Sequence, residues 1–183
     1  MVCKGFAFIF IFCLFISSCK TVKKVINDGG HITTRREGSV NAAKAKTFTK
    51  PLKINRSEFV SYAKTFLGTP YKYGSADPKT GLDCSGFINY VFSHFNVKAP
   101  RSSVDFTNEG TAIDISNARP GEIILFTGSD NSTGVVGHMG IITSGGSIPQ
   151  FIHSASGKNI GVILSNFTGY YKTHFVKVIR ILE

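Results

Sequence analysis

The sequence lacks an apolar run long enough to cross a bilayer as a helix, since none reaches the roughly 17–25 residues that such a helix needs. This excludes a polytopic membrane protein. Charged side chains are also scarce: they make up 17% of the 183 residues, whereas hydrophobic residues make up 42%. This composition predicts one domain with a hydrophobic core rather than wholesale disorder.

The net charge of +10 is concentrated in one segment. Residues 20–50 carry eight basic and two acidic side chains, whereas residues 51–183 carry twelve basic and nine acidic ones. A basic chain first suggests a nucleic-acid-binding protein, but here the charge lies in a tail and no motif for reading nucleic acid accompanies it. We therefore expect no nucleic-acid partner.

The first 18 residues are organised like a secretory signal peptide, with Lys4, an apolar stretch over 6–16 and two serines before Cys19. The ending Ile16-Ser17-Ser18-Cys19 resembles the bacterial lipobox. This implies that Cys19 becomes the lipid-modified first residue of the mature protein, anchored to a membrane. Lys20, where no Asp stands, resembles lipoproteins sent to the outer membrane, facing the periplasm. A plain secreted protein is the alternative.

Residues 20–50 have no sustained helical or strand period and are rich in small and polar residues. We interpret 19–50 as a lipidated N-terminus and a flexible basic tether, which as a coil would span about 30 Å, and 51–183 as the folded domain. The charges of the tether either keep it solvated or attract it to anionic lipid or envelope polymer.

Only one cysteine lies in the predicted domain. Cys3 and Cys13 belong to the predicted signal peptide and Cys19 is assigned to lipid, which leaves Cys84. Because an exported protein with one remaining thiol cannot use it in an internal disulfide, Cys84 is a candidate reactive group. The alternative is a small buried hydrophobic residue.

Cys84 falls at the predicted start of a helix. A first helix is predicted after Asn55, with Glu58 completing a capping box, and a second begins at Asp83, the expected N-cap. The apolar positions of the second helix place the thiol in its first turn, on the core side. Because a helix N-terminus carries partial positive charge, we expect a lowered cysteine pKa that favours the thiolate. Gly86 is expected to keep the approach to the thiol uncrowded.

Beyond residue 110 the pattern changes to strands separated by Gly, Ser, Asn and Asp, which predicts an antiparallel meander of about five strands. The predicted strands are 122–127, 138–143, 150–154, 161–165 and 175–182. If residues 144–147 form a hairpin loop, His138 pairs directly with His153, and both imidazoles share one face of the sheet.

A thiol at a helix start and two neighbouring imidazoles form the nucleophile, base and orienting group of a cysteine hydrolase. His138 would accept the proton of Cys84 and His153 would orient the His138 ring. One alternative is that both histidines are ordinary polar strand residues. Another is a metal site, which is disfavoured because closely paired ligands and a fourth ligand are not evident.

Asp83-Cys84-Ser85-Gly86-Phe87 and Gly137-His138-Met139-Gly140-Ile141 resemble the NlpC-type cell-wall endopeptidases, a papain-like family. The resemblance covers roughly residues 55–183 and implies an α+β fold with N-terminal helices packed on the sheet. Glu122 stands where Asp is more usual, and Ser75 where a second Gly is frequent. Further matching segments are Gly68-Thr69-Pro70-Tyr71-Lys72-Tyr73-Gly74, Pro100-Arg101-Ser102-Ser103, Pro120-Gly121-Glu122-Ile123, Phe151-Ile152-His153-Ser154-Ala155 and the closing strand from Tyr170-Tyr171 to Arg180.

The resemblance implies Cys84 as nucleophile, His138 as base and His153 as orienting residue, without a metal or organic cofactor. It also implies substrate-binding positions, which are Tyr71, Asp83, Ser85 and Arg101. The family commonly cleaves the bond between D-γ-glutamate and the diamino acid of peptidoglycan stem peptides.

We therefore predict a monomeric, lipid-anchored cysteine endopeptidase of the cell envelope that acts on peptidoglycan stem peptides through a thioester intermediate. Two alternatives remain at this point. The first is a cysteine-dependent amidase or acyltransferase on another envelope substrate, and the second is a catalytically silent envelope-binding lipoprotein.

Overall fold

The computed structural model describes residues 25–26, 32–33, 47–157 and 161–183. The predicted signal peptide, Cys19 and most of the predicted tether lie outside these residues. The chain divides into two units, residues 1–43 and 44–183. In the first unit, β1 (Val25–Ile26) pairs antiparallel with β2 (Ile32–Thr33), a short ladder that the tether prediction did not include.

Two helices of the second unit begin where the sequence places them. Helix α1 (Arg56–Lys64) follows Asn55, whose Oδ1 accepts hydrogen bonds from two backbone N–H groups of the first turn. Helix α2 (Cys84–His94) follows Asp83, whose Oδ1 accepts a 2.6 Å hydrogen bond from the N–H of Gly86. Neither helix, nor any other in the described part of the chain, has the length and apolarity that a bilayer-spanning helix requires. The apolar faces of α1 and α2 are buried in one core, through Phe59, Val60, Ala63, Phe87, Ile88, Val91 and Phe92.

Within the described residues, six strands form one antiparallel sheet. A two-stranded ladder of β3 (Ala76–Asp77) and β4 (Gly81–Leu82) precedes α2, and the four-residue helix α3 (Tyr170–Thr173) precedes the last strand. The sheet strands are β5 (Thr111–Ile113), β6 (Ile123–Thr127), β7 (Val136–Ser144), β8 (Gln150–Ser154), β9 (Val162–Asn166) and β10 (Phe175–Arg180), in the order β5-β10-β6-β7-β8-β9. Five of them match predicted strands, while the three-residue edge strand β5 was not predicted.

The sheet is covered on both faces, as the central strand β6 illustrates. Ile123 and Leu125 join the core formed with the helices, whereas Ile124 and Phe126 join a second cluster on the opposite face. All five residues of β6 are buried, which explains why its first four residues are continuously apolar rather than alternating. Helices α1 and α2 on one face of an antiparallel sheet confirm the predicted α+β class.

The predicted register of the β7–β8 hairpin is wrong. Ile141 pairs with Ile152, and Ser144 pairs with Gln150 across an irregularity in the ladder. The turn extends through Pro149, which has no N–H to contribute to a ladder. The loop is therefore longer than the four residues that the sequence suggested.

The correct register still brings the two histidines together. Continuing the pairing by one step places His153 opposite Gly140 rather than opposite His138. Because side chains alternate with a period of two, a shift of two residues keeps both imidazoles on one face. They are diagonal neighbours, which long side chains can still bridge.

The second unit begins earlier than the sequence predicted. Both carboxylate oxygens of Glu109 accept 2.8 Å hydrogen bonds, from the N–H groups of Thr47 and Phe48. The Phe48 ring is buried against Phe92 and Phe106. Residues 47–48 are therefore part of the packed unit, although the sequence analysis assigned them to the tether.

Candidate active site

The candidate nucleophile sits at the first position of α2, where the helix meets the sheet. Cys84 is a free cysteine that is 9% exposed. Its Sγ lies 3.9 Å from the backbone carbonyl oxygen of Gly137, to which the thiol donates. Because Gly137 directly precedes His138, this contact brings the sulfur to the part of β7 that carries the candidate base.

The segment before β3 crosses the first turn of α2 and fixes the position of the helix start. The N–H of Asp83 donates to the carbonyl oxygen of Ser75 at 2.9 Å. A Cβ on Gly86 would lie 2.1 Å from that same oxygen, so a side chain at this position would displace the crossing segment. Gly86 therefore makes room for the chain at Ser75 rather than keeping the approach to the thiol open, the role that its position near Cys84 had suggested.

A buried hydrogen bond joins the strand of one histidine to the segment before the nucleophile. The hydroxyl of Ser154 donates to the carbonyl oxygen of Leu82 at 2.7 Å, and both residues are fully buried. Ser154 follows His153, and Leu82 lies two residues before Cys84. This bond therefore restrains the separation between β8 and the start of α2.

The two imidazoles are in direct contact. Nε2 of His138 lies 2.7 Å from Nδ1 of His153, and the rings are nearly perpendicular, at 81°. His153 is fully buried, and His138 stacks on Phe126. Because Nε2 of His138 is engaged by His153, Nδ1 is the ring nitrogen left to exchange a proton with the thiol.

These groups line one cleft with a volume of about 500 Å³. It opens at the end of the sheet where β6 and β8 finish and β7 begins. Among the described lining residues none is Lys, Arg, Asp or Glu, and among all described residues no three His, Cys, Asp or Glu side chains are grouped to hold a metal ion. The lining residues are Tyr71, Tyr73, Cys84, Thr127, Gly128, Ser129, Gly137, His138, His153, Ala155, Ser156, Tyr170 and Tyr171.

Of the four predicted substrate-binding residues, Tyr71 lines the cleft and the other three bond to one another beside it. Arg101 forms a 2.7 Å ion pair with Asp83 and donates a 3.0 Å hydrogen bond to Ser85. The Ser85 hydroxyl in turn donates to Asp83 at 3.1 Å. These contacts hold the N-cap of α2 in place, and a direct contact of the three residues with substrate stays a prediction.

Burial keeps the thiol and both imidazoles neutral, contrary to the expected thiolate. Burial and then the charge of Asp83 raise the pKa of Cys84 from 9.0 to about 11, although the N–H groups of Ser85 and Cys84 act in the opposite direction. Burial lowers the pKa of His138 from 6.5 to about 4. Burial and the neighbouring His138 lower the pKa of His153 to about 3. Desolvation thus outweighs the helix N-terminus here.

Two residues that the sequence analysis missed as site residues contact the far side of His153. Its Nε2 lies 2.9 Å from Oγ of Ser165 and 3.1 Å from the hydroxyl of Tyr171. In β9, Ile163 is the direct partner of His153, so Ser165 is its diagonal neighbour. The diagonal relation that joins the two histidines could have pointed to Ser165. Tyr171 lies in a segment that resembles the family, but nothing in that segment indicates a contact with His153.

Comparisons with known proteins agree with this arrangement. Residues 68–180 match the NlpC/P60 family. The chain is 40% identical over 125 residues to Gamma-DL-glutamyl hydrolase of Bacillus subtilis (strain 168), which covers 67% of this chain and 29% of that protein. It is 31% identical over 130 residues to Murein DD-endopeptidase MepS/Murein LD-carboxypeptidase of Escherichia coli (strain K12), covering 70% of this chain and 64% of that protein.

A solved NlpC/P60 family protein from Bacillus cereus superimposes with a TM-score of 0.64 at 26% identity, over 72% of this chain and 42% of that one. The chain thus spans less than a third of the Bacillus subtilis relative's length and under two thirds of the Escherichia coli one. The family match covers more than half of the chain and includes the thiol and both histidines. This chain therefore belongs to the NlpC/P60 family.

Proposed function

We propose that the folded unit is a peptidoglycan hydrolase that cleaves stem peptides between D-γ-glutamate and the diamino acid. The observation that carries this proposal is the 2.7 Å contact between His138 and His153 in the cleft that also contains Cys84. The names of the two relatives support the substrate class, one being a γ-DL-glutamyl hydrolase and the other a murein endopeptidase. The motifs shared with the NlpC-type endopeptidases support the choice of the γ-glutamyl bond.

The reaction begins with a proton transfer between two neutral groups. The thiol leaves the carbonyl oxygen of Gly137 and passes its proton to Nδ1 of His138 as the sulfur attacks the carbonyl carbon of the substrate amide. The positive charge that develops on His138 is stabilised through its Nε2–H, which donates to Nδ1 of His153. Because the resting thiol is neutral, we expect proton transfer and attack to be coupled.

The negative charge that develops on the substrate oxygen needs donors at the helix start. The N–H groups of Cys84 and Ser85 lower the pKa of the Cys84 thiol, so both act on the space around the sulfur. Donors that already point there stabilise a tetrahedral oxyanion without reorganisation. We assign them this role.

The intermediate collapses when His138 returns its proton to the leaving amine nitrogen. The carbon–nitrogen bond breaks and a thioester forms on Cys84. A water molecule then gives a proton to Nδ1 of His138 and attacks the thioester carbon. The new acid is released, and the proton returns to the sulfur.

Defined stem peptides test the bond. The protein is incubated with L-Ala-D-γ-Glu-diamino acid-D-Ala and with its cross-linked dimer, and the products are identified by mass spectrometry. The proposal predicts L-Ala-D-Glu and a peptide that begins with the diamino acid. Cleavage of the cross-link alone would contradict the γ-glutamyl bond, and failure to cleave either substrate or purified peptidoglycan would contradict the hydrolase itself.

We also propose that lipid on Cys19 anchors the protein to the outer membrane, which the sequence from Ile16 to Lys20 supports. Expression of the full chain and of Cys19→Ala in a bacterium, followed by separation of the membrane and soluble fractions, tests this. We expect the unaltered chain with the outer membrane and the variant in the soluble fraction. The same distribution for both chains would contradict lipid anchoring.

A further inference from the structure

We propose that Ser165 and Tyr171 are positioning residues that hold His153 in the tautomer which leaves His138 able to accept the thiol proton. This inference rests on the proposed function, because it concerns the base of that reaction. It adds two hydroxyl groups to a site that so far consists of the thiol and the two imidazoles.

The geometry of the two hydroxyls carries the inference. Nε2 of the fully buried His153 lies 2.9 Å from Oγ of Ser165 and 3.1 Å from the hydroxyl of Tyr171. The Ser165 hydroxyl donates to the Tyr171 hydroxyl at 3.4 Å. His153 is thus contacted at Nδ1 by one imidazole and at Nε2 by two oxygens.

Both hydroxyls are held by elements that are separate from the strands of the histidines. Ser165 lies on β9, where backbone pairing with Phe151 of β8 fixes its place. Tyr171 lies on α3, and its ring packs against Phe126 at 5.3 Å and edge-on against Phe151 at 4.8 Å. The two oxygens are therefore placed by the fold before any substrate binds.

Proton placement explains why these oxygens matter. For Nδ1 of His138 to accept a proton, the resting proton of that ring must be on Nε2, from which it is donated to Nδ1 of His153. His153 must then carry its own proton on Nε2, which is buried and requires an acceptor. Ser165 and Tyr171 are that acceptor.

The opposite arrangement would inactivate the base. If His153 carried its proton on Nδ1, it would donate to Nε2 of His138, and the proton of His138 would move to Nδ1. That nitrogen would then present an N–H to the thiol and could not accept from it. Removal of both hydroxyls favours this arrangement, because it leaves the buried Nε2–H of His153 without its acceptors.

Three variants test the inference: Ser165→Ala, Tyr171→Phe and the double variant. Because each hydroxyl can accept alone, we expect each single change to lower kcat about 2- to 5-fold and the double change about 10- to 100-fold, with KM nearly unchanged. The matched control is Ser93→Ala with Tyr90→Phe, which removes the same atoms from residues of α2 that do not line the cleft. We expect its kcat to equal that of the unaltered chain.

Nitrogen-15 NMR at pH 7, without substrate, reports which ring nitrogen of each histidine carries the proton. Loss of a hydroxyl that only stabilises the fold would not change this. We expect the proton on Nε2 of both His138 and His153 in the unaltered chain and the control, and a shift of His138 toward the Nδ1–H form in the double variant. A proton on Nδ1 of His153 in the unaltered chain would overturn the inference. A double variant with unchanged tautomers and unchanged kcat would also overturn it.

The two readouts separate this inference from the proposed function. If the double variant does not fold, the unaltered chain and the single variants still report the tautomers. If the unaltered chain cleaves no stem peptide, the proposed function fails, whereas the tautomers still show whether the hydroxyls orient His153.

Discussion

The pH dependence of hydrolysis should differ from that of an enzyme whose histidine base is exposed to solvent. Burial lowers the pKa of His138 from 6.5 to about 4, and Nδ1 must be unprotonated to accept the thiol proton. We therefore expect kcat/KM to fall only as the pH falls through about 4. At pH 5 a base of pKa 4 is about 90% neutral and one of pKa 6.5 about 3% neutral, so the expected rates differ about 30-fold.

Ionisation of the Cys84 thiol should not change kcat/KM between pH 6 and 9. Its pKa is raised to about 11, so the reaction starts from the neutral thiol throughout that range. The assay is kcat/KM for the γ-glutamyl peptide between pH 3.5 and 9.5 at constant ionic strength. A fall of kcat/KM below about pH 6.5 in folded protein would contradict a base with a lowered pKa. A rise of kcat/KM between about pH 8 and 9 would contradict a thiol with a raised pKa.

Folding must be monitored at each pH of the kcat/KM series. The lowered histidine pKa values that should preserve activity at pH 5 also make the fold less stable in acid. His138 and His153 have lower pKa values in the folded chain than the ordinary 6.5. The unfolded chain therefore binds protons more readily, and stability that is complete above pH 6.5 declines as the pH falls toward 4 and below. Circular dichroism at each pH separates unfolding from protonation of the base.

Substitutions at the two histidines, at Gly86 and at Glu122 test their separate roles. His138→Ala should abolish hydrolysis of the γ-glutamyl peptide, because it removes the base. His153→Ala should leave a measurable rate, because the His138 ring would lose only part of its orientation. Equal kcat/KM values for the two variants would contradict these roles. Gly86→Ala should lower both Tm and kcat, since its Cβ would lie 2.1 Å from a backbone oxygen, and an unchanged Tm would refute the packing argument. Glu122→Gln should lower the free energy of unfolding by about 1–3 kcal/mol, because this fully buried carboxylate accepts a 2.5 Å hydrogen bond from Arg180. Urea denaturation measures this loss, and an unchanged transition midpoint would contradict it.

Local signals in the sequence were sufficient to predict where α1 and α2 begin. Asn55 and Asp83 both cap helices as predicted, because a polar residue before an apolar period is a short-range signal. Five strands were also predicted, since Gly, Ser, Asn and Asp separate their apolar residues. The edge strand Thr111–Ile113 was missed because three residues carry no readable period.

Properties that depend on tertiary packing were harder to predict. The pairing of His138 with His153 was placed in the wrong register, yet the imidazoles meet because the error was an even number of residues. The direction of the Cys84 pKa shift was wrong because the sequence indicates the helix start but not how deeply it is buried. Tyr171 was not singled out because α3 is only four residues long and its contact with His153 spans separate elements.

Replacement of Cys84 by alanine tests whether this thiol is the nucleophile. Hydrolysis of the γ-glutamyl peptide and of purified peptidoglycan is followed by mass spectrometry for the unaltered chain and for Cys84→Ala, with Tm and circular dichroism as controls for folding. We expect Cys84→Ala to keep the fold and to release no product above the uncatalysed background. Product release by the folded variant at a rate near that of the unaltered chain would contradict the assignment of this thiol as nucleophile.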